Sequence, residues 1–546
     1  MFTESGVNII TGNAYEVKDE LMSIVEDSGL PANIVKYFVM TSAGAPTVNA
    51  ADEVIMNGPA NAVMLGSSVA GKNITLTNTG SSITSADKVI EAFMKGLKVN
   101  NTLASLIPDS FVDANVKPKL EPLKAIQGNF NIVQGSTIGN ANTENVTMHA
   151  SLDGKTIPEG TSALAANILL GGSTVTAQGI DLTGMASVVS NIPFKDAFKE
   201  LLNSSSTSGV GIELVQKLIS TGQATKLEAT AGDLDLGSEF NVVLGGGADA
   251  TEGVSLTANA GAVNMTGALN VVGGNTTIKA KDINLVPTQT TTINALANDL
   301  KSFIDISSIT GGTLGGLADQ EISAGIVAGG TNMEATNNIK TDGTLGLVLN
   351  TPVSDVMSSL VEYMNSTNQD ETWMIYNMLQ TGTATTLTAA NGNIELGAQF
   401  NLAHGGNFAA DGSTALKLSA ANGAVNINGT LNVVSGNTTV DAQTINMNGE
   451  RLPQDMVDVA NGVIGSIAGD LVGNNSGISG MLNKLVTKGN ANMVVGGATL
   501  TASQGITMNG VANAVFDTEI VDLVEAFMER NTGSLEEGSN KLTTLH

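Results

Sequence analysis

Residues Leu256–Leu285 read LTANAGAVNMTGALNVVGGNTTIKAKDINL. From Val254 onward, apolar and polar residues alternate in short runs. The apolar members are Val254, Leu256 and Ala258, then Val263 and Met265, Leu269 and Val271, Ile278 and Ala280, and Ile283 and Leu285. A period of two over a few residues marks a β-strand with two unlike faces. Gly and Asn punctuate the runs at Gly245–Gly247, Asn259–Gly261 and Gly273–Asn275. Turns favour such residues because they tolerate unusual backbone angles.

The stretch belongs to a repeat. Gln223–Phe240, QATKLEATAGDLDLGSEF, returns 160 residues later as Thr383–Phe400, TATTLTAANGNIELGAQF. Ala268–Ile278, ALNVVGGNTTI, returns as Thr430–Val440, TLNVVSGNTTV. FNIVQG at Phe130–Gly135 is a shorter relative of FNVVLG at Phe240–Gly245 and FNLAHG at Phe400–Gly405. Long internal repeats predict stacked units, each burying its neighbour's face.

A second element alternates with these β modules. It reads as a strand pair followed by a helix, in copies at 62–94, 167–202, 325–364 and 492–528. The helical ends carry one apolar stripe, such as Val353, Val356, Met357, Leu360, Val361 and Met364. That three-and-four spacing predicts a helix packed on one side. Ser85 and Asp87 fit as caps of the first. Further helices are expected at 16–28, 211–220, 292–304, 371–380 and 453–467.

The expected fold class is therefore mainly β, with repetitive modules (a β-solenoid or stacked β-sheet) and interspersed amphipathic α-helices. Period-two alternation suits a solenoid and a sandwich equally. The divisions are 1–61, an N-terminal strand and helix, and 62–129, the first strand-pair/helix copy. A short β module and the second copy fill 130–222, and a β module fills 223–290. A helix and the third copy fill 291–382, a repeat β module 383–450, and a helix, the fourth copy and a tail 451–546.

Composition limits the function. Asp and Glu total 51 against 24 Lys and Arg, a net charge of −27 across 546 residues, which argues against nucleic acid as a partner. Without cysteine, disulfides and thiolate metal sites are excluded. The start, MFTESGVNIITGNAYEVKDE, lacks a cationic region followed by an apolar run, so no classical signal peptide is expected. No apolar stretch is long enough to predict a membrane span.

Catalytic signatures are scarce. The three histidines are His149, His404 and His546, and His404 stands where the sister copy has Leu244. That exchange suits a structural position. HExxH, a P-loop and a G-x-S-x-G elbow are absent. Trp373, the single tryptophan, lies on an expected helix and offers no platform for a sugar ring. The chain therefore reads as a non-enzyme. The candidate ligands are carboxylates. GDLDLG places Asp233 and Asp235 on one strand face, and the sister GNIELG places Asn393 and Glu395 there. Oxygen ligands at that spacing suit calcium.

The strand blocks, above all 256–285, resemble repeats of secreted bacterial adhesins of the filamentous-haemagglutinin type. They are also similar to Gly/Thr/Ala-rich surface-layer and surface-fibre proteins. The resemblance implies a β-rich surface structure whose work is assembly or adhesion, outside the cell or on its surface. The regularly inserted helices depart from those adhesins.

The termini extend the pattern. GVNIITGNAYEV near the start resembles LNVVGGNTTI, and NKLTTL at Asn540–Leu545 resembles ATKLEAT. This predicts subunits that meet head to tail and complete a shared module, the partner being the chain itself. Such heterologous contacts build open filaments when they do not close into rings. The alternatives are an adhesin or carbohydrate-binding protein taking a cell-surface polysaccharide through loops Gly245–Gly253 and Gly405–Gly412, and a phage fibre or tail component.

Overall fold

The computed structural model describes residues 7–12, 45–80, 82–89, 91–92, 124, 127–157, 163–193, 196, 222–247, 252–292, 294–295, 319, 321–355, 382–406, 415–450 and 490–516. The described residues are mainly β, as the alternation predicts. They fall into two compact units, Met1–Asn264 with Asn298–Asp305, and Met265–Ala297 with Ile306–His546.

In each unit the chain cycles through three parallel ladders, here I, II and III. Unit 1 places Asn8–Thr11, Ala60–Met64, Gln127–Gln134 and Ala163–Leu170 on ladder I. Thr137–Gly139, Thr174–Ala177, Thr225–Ala229 and Val254–Ala258 follow one another on ladder II. Glu53–Asn57, Asn73–Thr77 and Asn145–Ala150 lie on ladder III. The long strands Gly179–Ser190 and Leu234–Gly245 serve ladder III with their first halves and ladder I with their second. The order along the chain is I, II, III, then I again. Every rung therefore pairs with the rung after it, which is a parallel β-solenoid.

Unit 2 repeats the scheme. Its ladder I runs through Leu269–Gly274, Ala324–Val327, Leu345–Leu349, Phe400–His404, Leu431–Ser435, Ala491–Val494 and Ala512–Val515. Thr276–Ala280, Thr331–Ala335 and Thr385–Ala389 form ladder II, and Asp282–Leu285, Ile339–Thr341 and Ile394–Leu396 form ladder III. Leu416–Gly429, Thr438–Gly449 and Thr499–Asn509 each cross from ladder II to ladder III.

What the sequence reads as a strand pair is three strands, one on each ladder. In the first copy these are Ala60–Met64, Ser68–Ala70 and Asn73–Thr77. The described α-helical residues are few: 86–89, 91–92, 196, 294–295 and 353–355. The expected helices at 16–28, 211–220, 371–380 and 453–467, and nearly all of 193–202, 356–364 and 520–528, lie outside the described residues. Ser85 ends a short strand with Thr84, antiparallel to Gln127–Gly128, and directly precedes the helical residues 86–89.

Inward side chains stack on their equivalents one turn away. On ladder I of unit 1, Val63, Val133, Leu169, Val189 and Val243 form one fully buried column. Removing such aliphatic area from water contributes roughly 25 cal/mol per Å².

Ladder I has a second inward column, and it is polar. Leu269 and Val271 face outward, whereas Asn270 and Val272 are buried. The column is an asparagine ladder. In unit 1, Asn8 Nδ2 donates to Asn61 Oδ1, Asn61 to Asn131 and Asn131 to Asn167, at 2.8, 2.8 and 2.9 Å. In unit 2, Asn401, Asn432, Asn492 and Asn513 form the same chain at 2.9, 2.8 and 2.8 Å. Each amide thus satisfies the next, which is what makes buried asparagine tolerable. Gly325 and Gly346 interrupt the column, and Asn401 Oδ1 is left buried without a partner among the described residues.

Candidate functional site

Sequence and structure agree on where the four candidate ligands point. Leu234 and Leu236 face inward on ladder III, so Asp233 and Asp235 share the outward side. Ile394 and Leu396 do the same for Asn393 and Glu395 in unit 2.

Their bonds show what these residues do. Asp233 Oδ1 accepts from the Ala262 backbone N–H at 2.7 Å, and Asp235 Oδ1 accepts from Asn264 Nδ2 at 2.7 Å. Asn393 Oδ1 accepts from the Ala424 backbone N–H at 2.8 Å, and Glu395 Oε1 accepts from Asn426 Nδ2 at 3.0 Å. Each pair clips its turn to the next through the same two bonds. The first position requires only an acceptor oxygen, which explains why Asp and Asn exchange there. Asp282 and Asn338 make the equivalent backbone contact to Asn338 and Asn393, at 3.1 and 3.0 Å. Among the described residues, no three His, Cys, Asp or Glu side chains gather as a metal-binding group. The geometry adds no support for calcium beyond the carboxylates themselves.

Unit 1 does hold a concavity on this face. Its volume is about 520 Å³, and Glu144, Thr147, Gln178, Asp181, Asp233 and Asp235 line it. Asp181 and Asp235 are register partners on adjacent turns. Burial, and then the Asp235 carboxylate, push the Asp181 pKa above the usual carboxylate value, with His149 pulling the other way. Glu144 is paired with Lys72 at 3.2 Å. Sequence reading missed Asp181, because its neighbour Asp235 lies a whole turn away along the chain.

The sign of that shift gives a test. A raised folded-state pKa means that the fold disfavours the charged form. The stability tied to Asp181 is complete below the unfolded-state pKa and is lost as pH rises through the folded-state pKa. Asp181→Asn is expected to raise the melting temperature at pH 7 and to flatten its rise on acidification. Thermal unfolding of both proteins across pH 3–7 reads this, and parallel curves refute it.

Both described histidines bond a hydroxyl on a neighbouring turn. His149 Nδ1 bonds Thr183 Oγ1 at 3.0 Å, and the fully buried His404 bonds Ser435 Oγ at 2.9 Å, each across one turn. His546 and Trp373 lie outside the described residues, as do 248–251 and 407–414 of the two variable loops.

A different feature stands out at the last turn of unit 2. Val511, Val515, Ile506 and Phe516 are 74, 72, 47 and 43 % exposed. Val515 continues the column of Val434 and Val494, and Ile506 that of Ile445; the preceding members are 0–8 % exposed. Thr499–Asn509 and Ala512–Val515 pair on one side only among the described residues. Among the described residues, the strand edge is open and the core column beneath it is uncovered. Such an edge is a template for further pairing. No helix among the described residues is long and apolar enough to cross a membrane. No protein-family model, curated protein or solved structure matches the chain.

Proposed function

We propose that this chain is a structural, self-assembling protein: a subunit of an extracellular filament, sheath or surface layer that polymerises head to tail. The observation that carries the reading is the last described turn, with Ile506, Val511, Val515 and Phe516 exposed beside strand edges that have no partner among the described residues. At the other end of the sequence, Asn8–Thr11 also pairs on one side only among the described residues. The ladder polarity matches as well. Asn8 is the first donor of one asparagine chain, and Asn513 is the last acceptor of the other. The acidic surface, net −27, suits lateral association through divalent cations.

Electron microscopy of the purified protein, with and without a chelator, tests the reading. Filaments or sheets are the expected result. Deleting Met1–Gly12 or Lys541–His546 is expected to abolish them, and normal assembly of both truncations would sink the head-to-tail idea.

A second reading is a polysaccharide-binding surface. The polar concavity around Thr147, Gln178 and Asp181 supports it. It predicts a monomer that retains cell-surface glycans.

A further inference from the structure

Asn8–Thr11, Thr47–Asn49 and Glu53–Asn57 make the first turn, and Thr499–Asn509 and Ala512–Val515 make the last described one. Among the described residues, the strands of both turns pair on one side only. Their cores nevertheless meet water differently. In the last described turn, Val515 on ladder I is 72 % exposed and Ile506 on ladder III is 47 % exposed. The equivalent residues of the first turn are Ile10, the register partner of Val63, and Val54, the partner of Ile74. They are 6 and 5 % exposed, and Met56 beside them is fully buried. The core of the first turn is closed to solvent on ladders I and III, whereas that of the last described turn is not.

Closure leaves polar atoms unsatisfied. Thr11 is buried, and its Oγ1 has no hydrogen-bond partner among the described residues. Asn57 Oδ1, on ladder III of the same turn, is likewise buried without one. Such orphans raise the free energy of the state that contains them. Apolar burial holds the closed state and the orphans oppose it, which is the balance of a two-state element. The last described turn offers the complement. Continuing each ladder by one turn sets Val515 on Ile10, Leu500 on Val48, Ile506 on Val54 and Met508 on Met56, apolar on apolar throughout. Asn513 Nδ2 then donates to Asn8 Oδ1, in the same direction as every other link of the two asparagine chains.

We propose that head-to-tail joining is gated at the first turn: closed over Ile10, Val54 and Met56 in the isolated chain, that turn opens against the exposed last turn of a second copy. The gate rests on the head-to-tail reading above and regulates the same joint. One end of each subunit is ready to pair and the other is not, so opening the first turn limits the rate of joining. Growth then becomes independent of subunit concentration once encounters outpace opening.

The absence of cysteine gives a clean test in the full-length protein. In monomeric samples, the thiol of Val515→Cys is expected to react with a small thiol reagent at least tenfold faster than that of Ile10→Cys. Ile506→Cys against Val54→Cys repeats the comparison on ladder III, in case either ladder I variant folds poorly. Light scattering then follows filament growth. The rate per filament end is expected to level off as subunit concentration rises. Thr11→Val removes one orphan from the closed state and is expected to lower that plateau at least threefold. Equal thiol rates in both pairs, growth proportional to concentration throughout, or an unchanged plateau in Thr11→Val would each overturn the gate. Filaments that form with any of these results leave the head-to-tail reading standing and remove the gate alone. Failure to form filaments under any condition removes both.

Discussion

Replacing Asn432 with leucine is expected to lower the unfolding free energy by about 4 kcal/mol. The side chain is fully buried in the middle of the unit 2 ladder. Its Nδ2 donates to Asn492 Oδ1 at 2.8 Å and to the carbonyls of Asn448 and Gly429 at 3.1 and 3.2 Å. Its Oδ1 accepts from Asn401 Nδ2 at 2.9 Å. Leucine has the same branching and number of heavy atoms, so little cavity forms. The cost is instead electrostatic. Asn401 loses an acceptor, Asn492 loses a donor, and two carbonyls lose part of their satisfaction where water does not reach. Each buried orphan costs about 1–3 kcal/mol. Asn513→Leu, at the exposed end of the same ladder, is expected to cost well under 1 kcal/mol in the isolated chain, because water replaces the lost partner. Chemical denaturation of the two variants measures the difference. Equal losses would show that the ladder is not a cooperative buried network.

The second large effect belongs to Gly184. This residue sits at +117° in φ, in the region that favours glycine, inside the strand that passes from ladder III to ladder I. It faces Ala150 on one side and Ser238 on the other. A β-carbon built there would collide with the Ala150 carbonyl oxygen, a backbone atom held by its own ladder. Gly184→Ala is therefore expected to cost about 4 kcal/mol, from backbone strain and overpacking together. Gly154 provides the control. It also has positive φ, at +69°, but nothing lies within 4 Å of its added β-carbon. Gly154→Ala is expected to cost about 1 kcal/mol, the price of the dihedral alone. Thermal or urea unfolding reads both, and similar losses would mean that the close approach of turns at Gly184 is unimportant.

Part of the candidate site is legible in sequence. The two-residue spacing of Asp233 and Asp235 places both on one face, because strand side chains alternate whatever surrounds them. Their partners are not legible. Ala262 and Asn264 lie 29 residues further on, yet the comparable step from Asn338 to Asn393 is 55. Connections of variable length separate successive turns, so no fixed spacing marks residues that touch. The acid–acid neighbour of Asp181 is hidden for the same reason.

The asparagine ladder shows the same division on a larger scale. NIIT, FNIV, NILL, FNVV, LNVV and FNLA all carry the asparagine in plain view. Read locally, LNVV suggests that Leu269 and Val271 belong inside, since hydrophobicity is the stronger single-residue signal. The structure buries Asn270 and Val272 instead.

By itself, the sequence determined that the protein is mainly β, that its strands are short and repeated, and that Gly and Asn set their ends. These follow from side-chain alternation and backbone sterics, which act within a few residues. Only the tertiary structure decided that successive repeats pair in parallel, that three ladders share the chain, and that asparagine belongs in the core. Pairing joins residues tens of positions apart, and a buried amide is stable only when the next turn supplies its partner.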